Sequence, residues 1–155
     1  MRSIRPTTAG ELHIGLAILR AITGIIFVAH GGQKLFVYGL EGVTASFAQL
    51  GIPLAAAAAP AVALLEFLGG FALIAGVMTR FAAAGLAVVM LTATLMVHAS
   101  AGFFMPNGME FTLMLMGAAA SLAIMGAGRY SVDALLIRRE APSDQPGERR
   151  VRRVA

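Results

Sequence analysis

The chain has 155 residues, of which 58% are hydrophobic and 13% charged, and its formal net charge is +4. This composition is more apolar than that of a soluble domain and indicates an integral membrane protein with a single domain. Cysteine is absent, which excludes disulfides, covalently attached c-type haem and thiolate metal sites.

Apolar stretches of near-spanning length follow one another along the chain. They run from Leu12 to Phe36, from Leu54 to Met78, from Phe81 to His98 and from Phe111 to Ala127. Only Thr79 and Arg80 separate the second from the third, which requires an antiparallel hairpin, and the other connections contain Gly, Pro or Asn. The sequence therefore predicts an all-α membrane protein, a four-helix up-down-up-down bundle.

The basic residues indicate how this bundle is oriented. All of them except Arg20 and Lys34 would lie on one side of the four spans: Arg2, Arg5, Arg80, Arg129, Arg138, Arg139, Arg149, Arg150, Arg152 and Arg153. The positive-inside rule assigns that side to the cytoplasm. We therefore predict a multi-pass protein of the bacterial inner membrane with both termini cytoplasmic.

The regions flanking the spans have their own character. Residues 1–11 are predicted to be a cytoplasmic segment, and residues 12–139 the membrane domain, which ends in a short interfacial helix capped by Ser131-Val-Asp133. Residues 140–155 combine Pro, Gly and Ser with arginines, as is typical of a disordered basic tail. Its arginines suit anionic membrane lipid, and because no aromatic residues are interleaved to stack on bases, no nucleic-acid partner is predicted.

Glu66 is the most informative single residue, because it interrupts the second apolar stretch near the middle of the membrane. An ionisable group at that depth needs a partner, neutralisation or a wet cavity. Arg20, within the first span, is the favoured partner, since each charge would relieve the desolvation of the other. Two roles stay open for Glu66: part of a buried strut, or a group that exchanges protons or binds a polar ligand.

A second set of polar residues, His30, Lys34, His98 and Glu110, would project into the outer half of the bundle. His30 and Lys34 share a helix face with Arg20, and histidine suits proton transfer near neutral pH. We expect an outward-facing pocket in which His30 or Lys34 donates a hydrogen bond to a quinone or a polar head group. Zinc or iron ligation by these residues is disfavoured because they are spread over three segments, and no metal site is predicted.

Other residues leave alternatives open. Asn107-Gly-Met-Glu110 also resembles a capping box that opens the last helix, which would give Glu110 a structural role. Small residues recur through the second, third and fourth spans, where they favour close helix packing. Such a surface could also admit a flat ligand or a second protomer, so a homo-oligomer stays open.

Several motifs, in their order along the chain, resemble the DoxX family. They are Leu19-Arg20 through Gly24, Phe27, His30-Gly-Gly-Gln-Lys34-Leu-Phe36, Leu65-Glu66 with Gly69-Gly70, Gly76 through Thr79-Arg80, His98, Gly108-Met-Glu110 and Gly126-Ala-Gly128-Arg-Tyr-Ser131-Val-Asp133. The resemblance runs from about Leu12 to Leu136, with Ala127 where the family often has proline. It implies a four-helix inner-membrane protein, linked in some relatives to quinone-dependent sulfur oxidation or to membrane complexes of oxidative-stress defence.

The functional prediction combines these observations. The sequence has no phosphate-binding loop, dinucleotide fingerprint, nucleophile elbow or H-E-x-x-H motif, which argues against an autonomous enzyme. We predict a subunit of a redox-associated complex with an oxidoreductase partner, no covalent cofactor and a quinone as candidate ligand. The candidate ligand-binding residues are Arg20, His30, Lys34, Glu66, His98 and Glu110. A small solute or proton-coupled carrier, and a structural membrane scaffold, are the alternatives.

Overall fold

The computed structural model describes the backbone of residues 7–140 and the side chains of residues 7–137. The predicted basic tail beyond residue 140 and the first six residues lie outside this part of the chain. Within it the helices are α1 (Ala9–Gly32), α2 (Gly39–Gln49), α3 (Ala55–Ala75), α4 (Thr79–Ala93), α5 (Glu110–Met125) and α6 (Val132–Glu140). A π-helical turn, Gln33–Val37, extends α1, and a second one, Thr94–His98, extends α4 and leads into a 3-10 turn, Ala99–Ala101.

The helices α1, α3, α4 and α5 form the bundle, and each is antiparallel to the next. Along α1 and α3, Arg20 lies beside Gly76 whereas Lys34 lies beside Glu66. Gly69 of α3 lies against Leu86 of α4, and Thr94 after α4 donates a hydrogen bond to Thr112 of α5. The predicted all-α, up-down-up-down bundle is therefore confirmed.

The spans differ in length from the predicted ones. Segments 9–37, 55–75 and 79–101 are long and apolar enough to cross a membrane, but α5 has only 16 residues. At about 1.5 Å per residue, α5 covers roughly 24 Å, less than the hydrocarbon core of about 30 Å. It ends at Met125, two residues before the predicted boundary at Ala127, because Gly126 has a φ of 81° that suits glycine and stops the helix.

Glycine lets α1 and α3 approach closely; Gly70 belongs to the small residues predicted to favour packing, whereas Gly24 and Gly31 lie in the first span, which that prediction did not include. A Cβ atom on Gly31 would lie 2.4 Å from the backbone N of Phe67, and one on Gly70 would lie 2.7 Å from the carbonyl oxygen of Gly24. No side chain fits at these distances. The two helices are therefore held in one register, because any sliding would bring larger residues into the same contacts.

The connection between the first two spans contains turns, as its glycines indicate, but it also contains the helix α2, which the sequence analysis did not predict. Gly39 and Gly51 have φ values of 70° and 71° and bracket α2 at its two ends, so these glycines do mark turns. Between them, Val43 is buried as α2 packs on α3. This helix was missed because glycines at the ends of a short helix and glycines within a loop give the same sequence signal.

At the opposite end of the bundle, α6 is tied to the turn between α3 and α4. The Ser131 hydroxyl accepts a hydrogen bond from the backbone N–H of Ala134 at 3.2 Å, which confirms the predicted helix cap. The Asp133 carboxylate accepts from the backbone N–H groups of Met78 at 2.8 Å and Thr79 at 3.1 Å. These two bonds satisfy donors at the start of α4 that no helical carbonyl reaches.

Candidate functional site

A cavity of about 730 Å³ lies in the half of the bundle remote from α6. Its walls come from the second half of α1, from α2, from the first half of α3, from the second half of α4 and from the start of α5. Most of the lining is aliphatic or aromatic, with a few polar side chains among them. A volume of this size and lining is typical of sites for small organic ligands.

An ion pair between Lys34 and Glu66 is the strongest polar feature of this cavity. Lys34 Nζ lies 2.5 Å from Glu66 Oε2, and the exposed fractions of the two side chains are 22% and 3%. Because Glu66 is almost completely buried, its negative charge depends on Lys34 for compensation. Lys34 is more accessible, and its ammonium group has further donors beyond the one given to Glu66.

The predicted Arg20–Glu66 pair is wrong. Arg20 and Lys34 are 14 residues apart on the first span, which corresponds to about 21 Å along the helix axis. The prediction assumed that the first two spans begin and end at the same level. In the structure α3 ends at Ala75, and Gly76 lies beside Arg20, so α1 extends well past the end of α3. This offset places Lys34, rather than Arg20, opposite Glu66.

Arg20 has a different role at the other end of the bundle. Its Nη1 donates to the carbonyl oxygen of Ala127, and its Nη2 donates to that of Tyr130 at 2.5 Å. The residue is only 4% exposed. Arg20 therefore connects α1 to the segment between α5 and α6, and it does not line the cavity.

Both histidines of the predicted pocket lie at the cavity wall. The ring of His30 contacts that of Phe111 with centroids 5.9 Å apart, which joins α1 to α5. His98 Nδ1 lies 2.8 Å from the carbonyl oxygen of Asn107. Since a carbonyl only accepts, Nδ1 must be the donor, and Nε2 of the neutral imidazole is then an acceptor. The cavity wall thus includes a cationic donor at Lys34 and the imidazole ring of His98, whose Nδ1 is used by Asn107.

Glu110 does not line the cavity. The alternative prediction, a capping box formed by Asn107 and Glu110, is also wrong. Its Oε1 accepts a hydrogen bond from the backbone N–H of Met105 at 2.8 Å, while Met109 precedes α5 without a side-chain cap. The backbone carbonyl oxygen of Asn107 instead accepts the hydrogen bond from His98. Glu110 therefore fixes the loop before α5, on which the position of His98 depends.

The two π-helical turns each supply a polar residue to the cavity: Lys34 lies in Gln33–Val37, and His98 lies in Thr94–His98. A π-helical turn contains one more residue than an α-helical turn, so it changes the direction in which the following side chains point. Such turns occur often at functional sites. The periodicity of an apolar stretch does not show where they occur, so the sequence prediction missed them.

Of the six predicted site residues, His30, Lys34, Glu66 and His98 line the cavity, whereas Arg20 and Glu110 lie elsewhere. Their role in ligand binding stays a prediction. The sequence prediction missed the wall formed by Phe47 of α2 and by Leu50 directly after it, because it did not predict a helix in this connection. Among the described residues, no group of three His, Asp or Glu side chains is arranged to hold a metal ion.

The fold and the cavity define a small helical membrane protein with an apolar chamber around one buried ion pair. The DoxX family model matches residues 15–99, and this chain belongs to the DoxX family. The match begins within α1 and continues through α4, so it includes both members of the Lys34–Glu66 pair.

Two relatives support the same assignment. "Putative oxidoreductase CatD" of Bacillus subtilis (strain 168) is 32% identical over 123 residues, which cover 79% of this chain and 87% of the relative. "Inner membrane protein YqjF" of Escherichia coli (strain K12) is 32% identical over 129 residues, covering 79% and 92%. No solved structure matches the chain significantly. The apolar helices and the second relative fit a bacterial inner-membrane protein.

Proposed function

We propose that this protein is a subunit of a redox-associated complex in the inner membrane and that its cavity binds the ring of a quinone. The observation that carries the proposal is the Lys34–Glu66 pair inside an otherwise largely apolar chamber. The name of one relative, "Putative oxidoreductase CatD", supports the redox association. Electron transfer itself is assigned to a partner oxidoreductase, because this sequence carries no nucleotide-binding motif.

The chemistry of the cavity suits a quinone carbonyl. Lys34 has donors left after its bond to Glu66, so it can bind an oxygen that only accepts. The acceptor nitrogen of His98 and the carboxylate of Glu66 suit the hydroxyl groups of the reduced form. The ring itself needs apolar and aromatic neighbours, such as Phe27 and Phe111, which the same cavity supplies.

The test is quinone binding to the protein in lipid nanodiscs, measured by titration calorimetry. We expect the double variant Lys34→Met/Glu66→Leu to weaken binding by about tenfold to a hundredfold, because hydrogen bonds to charged groups contribute about 1.5–3 kcal/mol. The double variant is chosen because it leaves no unpaired charge in the bundle. Arg129→Met, at an exposed site outside the cavity, is the matched control and should bind normally.

Unchanged binding by the folded double variant would exclude the ion pair from the site. If no quinone binds the unmodified protein, and liposomes containing it instead transport a small solute without a partner, the carrier hypothesis replaces this one. Native mass spectrometry of the gently extracted protein would show in the same sample whether a quinone, an oxidoreductase or a second protomer accompanies the chain.

We further propose that both termini are cytoplasmic, which follows from the distribution of arginines. Because the chain contains no cysteine, a single introduced cysteine is a specific label. We expect Ser100→Cys, between α4 and α5, to react with an impermeant maleimide in intact cells, whereas Ser143→Cys should react only after lysis. The reverse pattern would invert the proposed topology.

A further inference from the structure

The cavity has a side wall made of exposed residues between α2 and α4. On the α2 side, Leu50 is 43% exposed, and on the α4 side Val88 is 63% exposed, although both line the cavity. The floor between them is α3, where Ala58 and Val62 precede Glu66 at intervals of four residues. Because α2 packs on α3 and α4 packs on α3 and α5, α3 separates the two rims. The exposed rims therefore flank the chamber on a side of the bundle, between α2 and α4.

We infer that the ligand carries a long apolar chain and that this chain leaves the cavity between α2 and α4, across Val62 and Ala58, into the acyl region of the membrane. The inference rests on the proposed quinone site for the polar end of the ligand. Beyond that site, it assigns the ligand to the class of amphipathic molecules dissolved in the membrane. It also assigns the route by which the ligand enters.

The layout of α3 supports this route. Residues four apart lie on one face of a helix, so Ala58, Val62 and Glu66 form a line of about 12 Å from the outer end of the cavity to its ion pair. Only Glu66 at the inner end is polar. A ligand whose polar ring reaches Lys34 and Glu66 would extend its remaining length over small apolar side chains. A chain longer than this path must continue into the membrane.

Two benzoquinones with the same ring, one with a decyl chain and one without a side chain, separate the path from the polar site. We expect Val62→Trp to weaken binding of decyl-quinone by about tenfold, because displacement of two methylene groups from an apolar site already has an effect of this size. Binding of the tailless quinone should change by less than about twofold. Leu64→Trp is the matched control, since Leu64 is exposed on the same helix but does not line the cavity.

A fluorescence measurement locates the chain directly. The protein contains no tryptophan, so each introduced tryptophan is a unique fluorophore. Val88→Trp is at the α4 rim, and Leu64→Trp lies at a similar depth, because Gly85 of α4 contacts Leu65 of α3. Decyl-quinone with a bromine at the end of its chain should quench Trp in the Val88 variant but much less in the Leu64 variant, relative to the unbrominated compound.

The outcomes distinguish this inference from the proposed function. If Lys34 and Glu66 are needed for both quinones but Val62→Trp affects them equally, and bromine quenches the two tryptophans equally, the side path is overturned and the polar site stands. If neither quinone binds the unmodified protein, both proposals fail. Should Val62→Trp not fold, Ala58→Leu tests the same path with a smaller side chain.

Discussion

Lys34→Met is expected to lower the free energy of unfolding by about 3 kcal/mol, because it leaves the Glu66 carboxylate buried without its counter-charge. Loss of one partner of a fully buried ion pair costs about 3–5 kcal/mol. The lower end applies because Lys34 is 22% exposed, so water reaches part of the site, whereas Glu66 is only 3% exposed. Unfolding by denaturant in detergent micelles measures the change.

A double-mutant cycle identifies the partner. Lys34→Met and Glu66→Leu should be strongly non-additive, with the double variant more stable than Lys34→Met alone, because the residual charge is removed together with its partner. Arg20→Met combined with Glu66→Leu is the matched control, and these effects should add within about 0.5 kcal/mol. Additivity between Lys34 and Glu66, with coupling between Arg20 and Glu66, would contradict the ion pair described above.

Arg20→Met is expected to destabilise the protein by about 2–5 kcal/mol through a separate mechanism. Its two hydrogen bonds to the carbonyl groups of Ala127 and Tyr130 are lost, and a buried acceptor without a partner costs about 1–3 kcal/mol. Arg20→Lys should recover only part of the loss, because the lysine ammonium lacks the forked geometry that reaches both carbonyls.

The readout for Arg20 combines denaturant unfolding with limited proteolysis of the segment between α5 and α6. We expect this segment to be cleaved faster in Arg20→Met, since the bonds that hold it to α1 are gone. Arg129→Met removes an exposed arginine from the same segment and should change stability by no more than about 0.5 kcal/mol. Equal proteolysis of the two variants would show that Arg20 does not hold the segment.

Arg20 and Lys34 lie in two halves of the bundle that differ in structure: one is held together by side-chain hydrogen bonds to the backbone, and the other contains the cavity. Toward α6, Arg20 and Asp133 join chain segments through hydrogen bonds to backbone groups. Toward α2, Lys34, Glu66 and the histidines surround space large enough for a ligand. Variants in the first half should therefore change stability more than quinone affinity, and the Lys34→Met/Glu66→Leu variant should do the opposite.

The sequence by itself determined the four apolar segments, their antiparallel order and the need of Glu66 for a partner, because these follow from hydrophobic length, a two-residue connection and the cost of an isolated charge in hydrocarbon. It also predicted correctly that Ser131 caps a final helix, since this contact is local along the chain.

The tertiary structure alone decided which cation meets Glu66. Helical periodicity places Arg20 and Lys34 on one face, but the choice between them depends on how far α1 slides along α3. Close contacts at Gly24, Gly31 and Gly70 set that register, and the π-helical turn that contains Lys34 sets the direction of its side chain. Both depend on the packing of residues distant in sequence, which a pattern along a single chain does not contain.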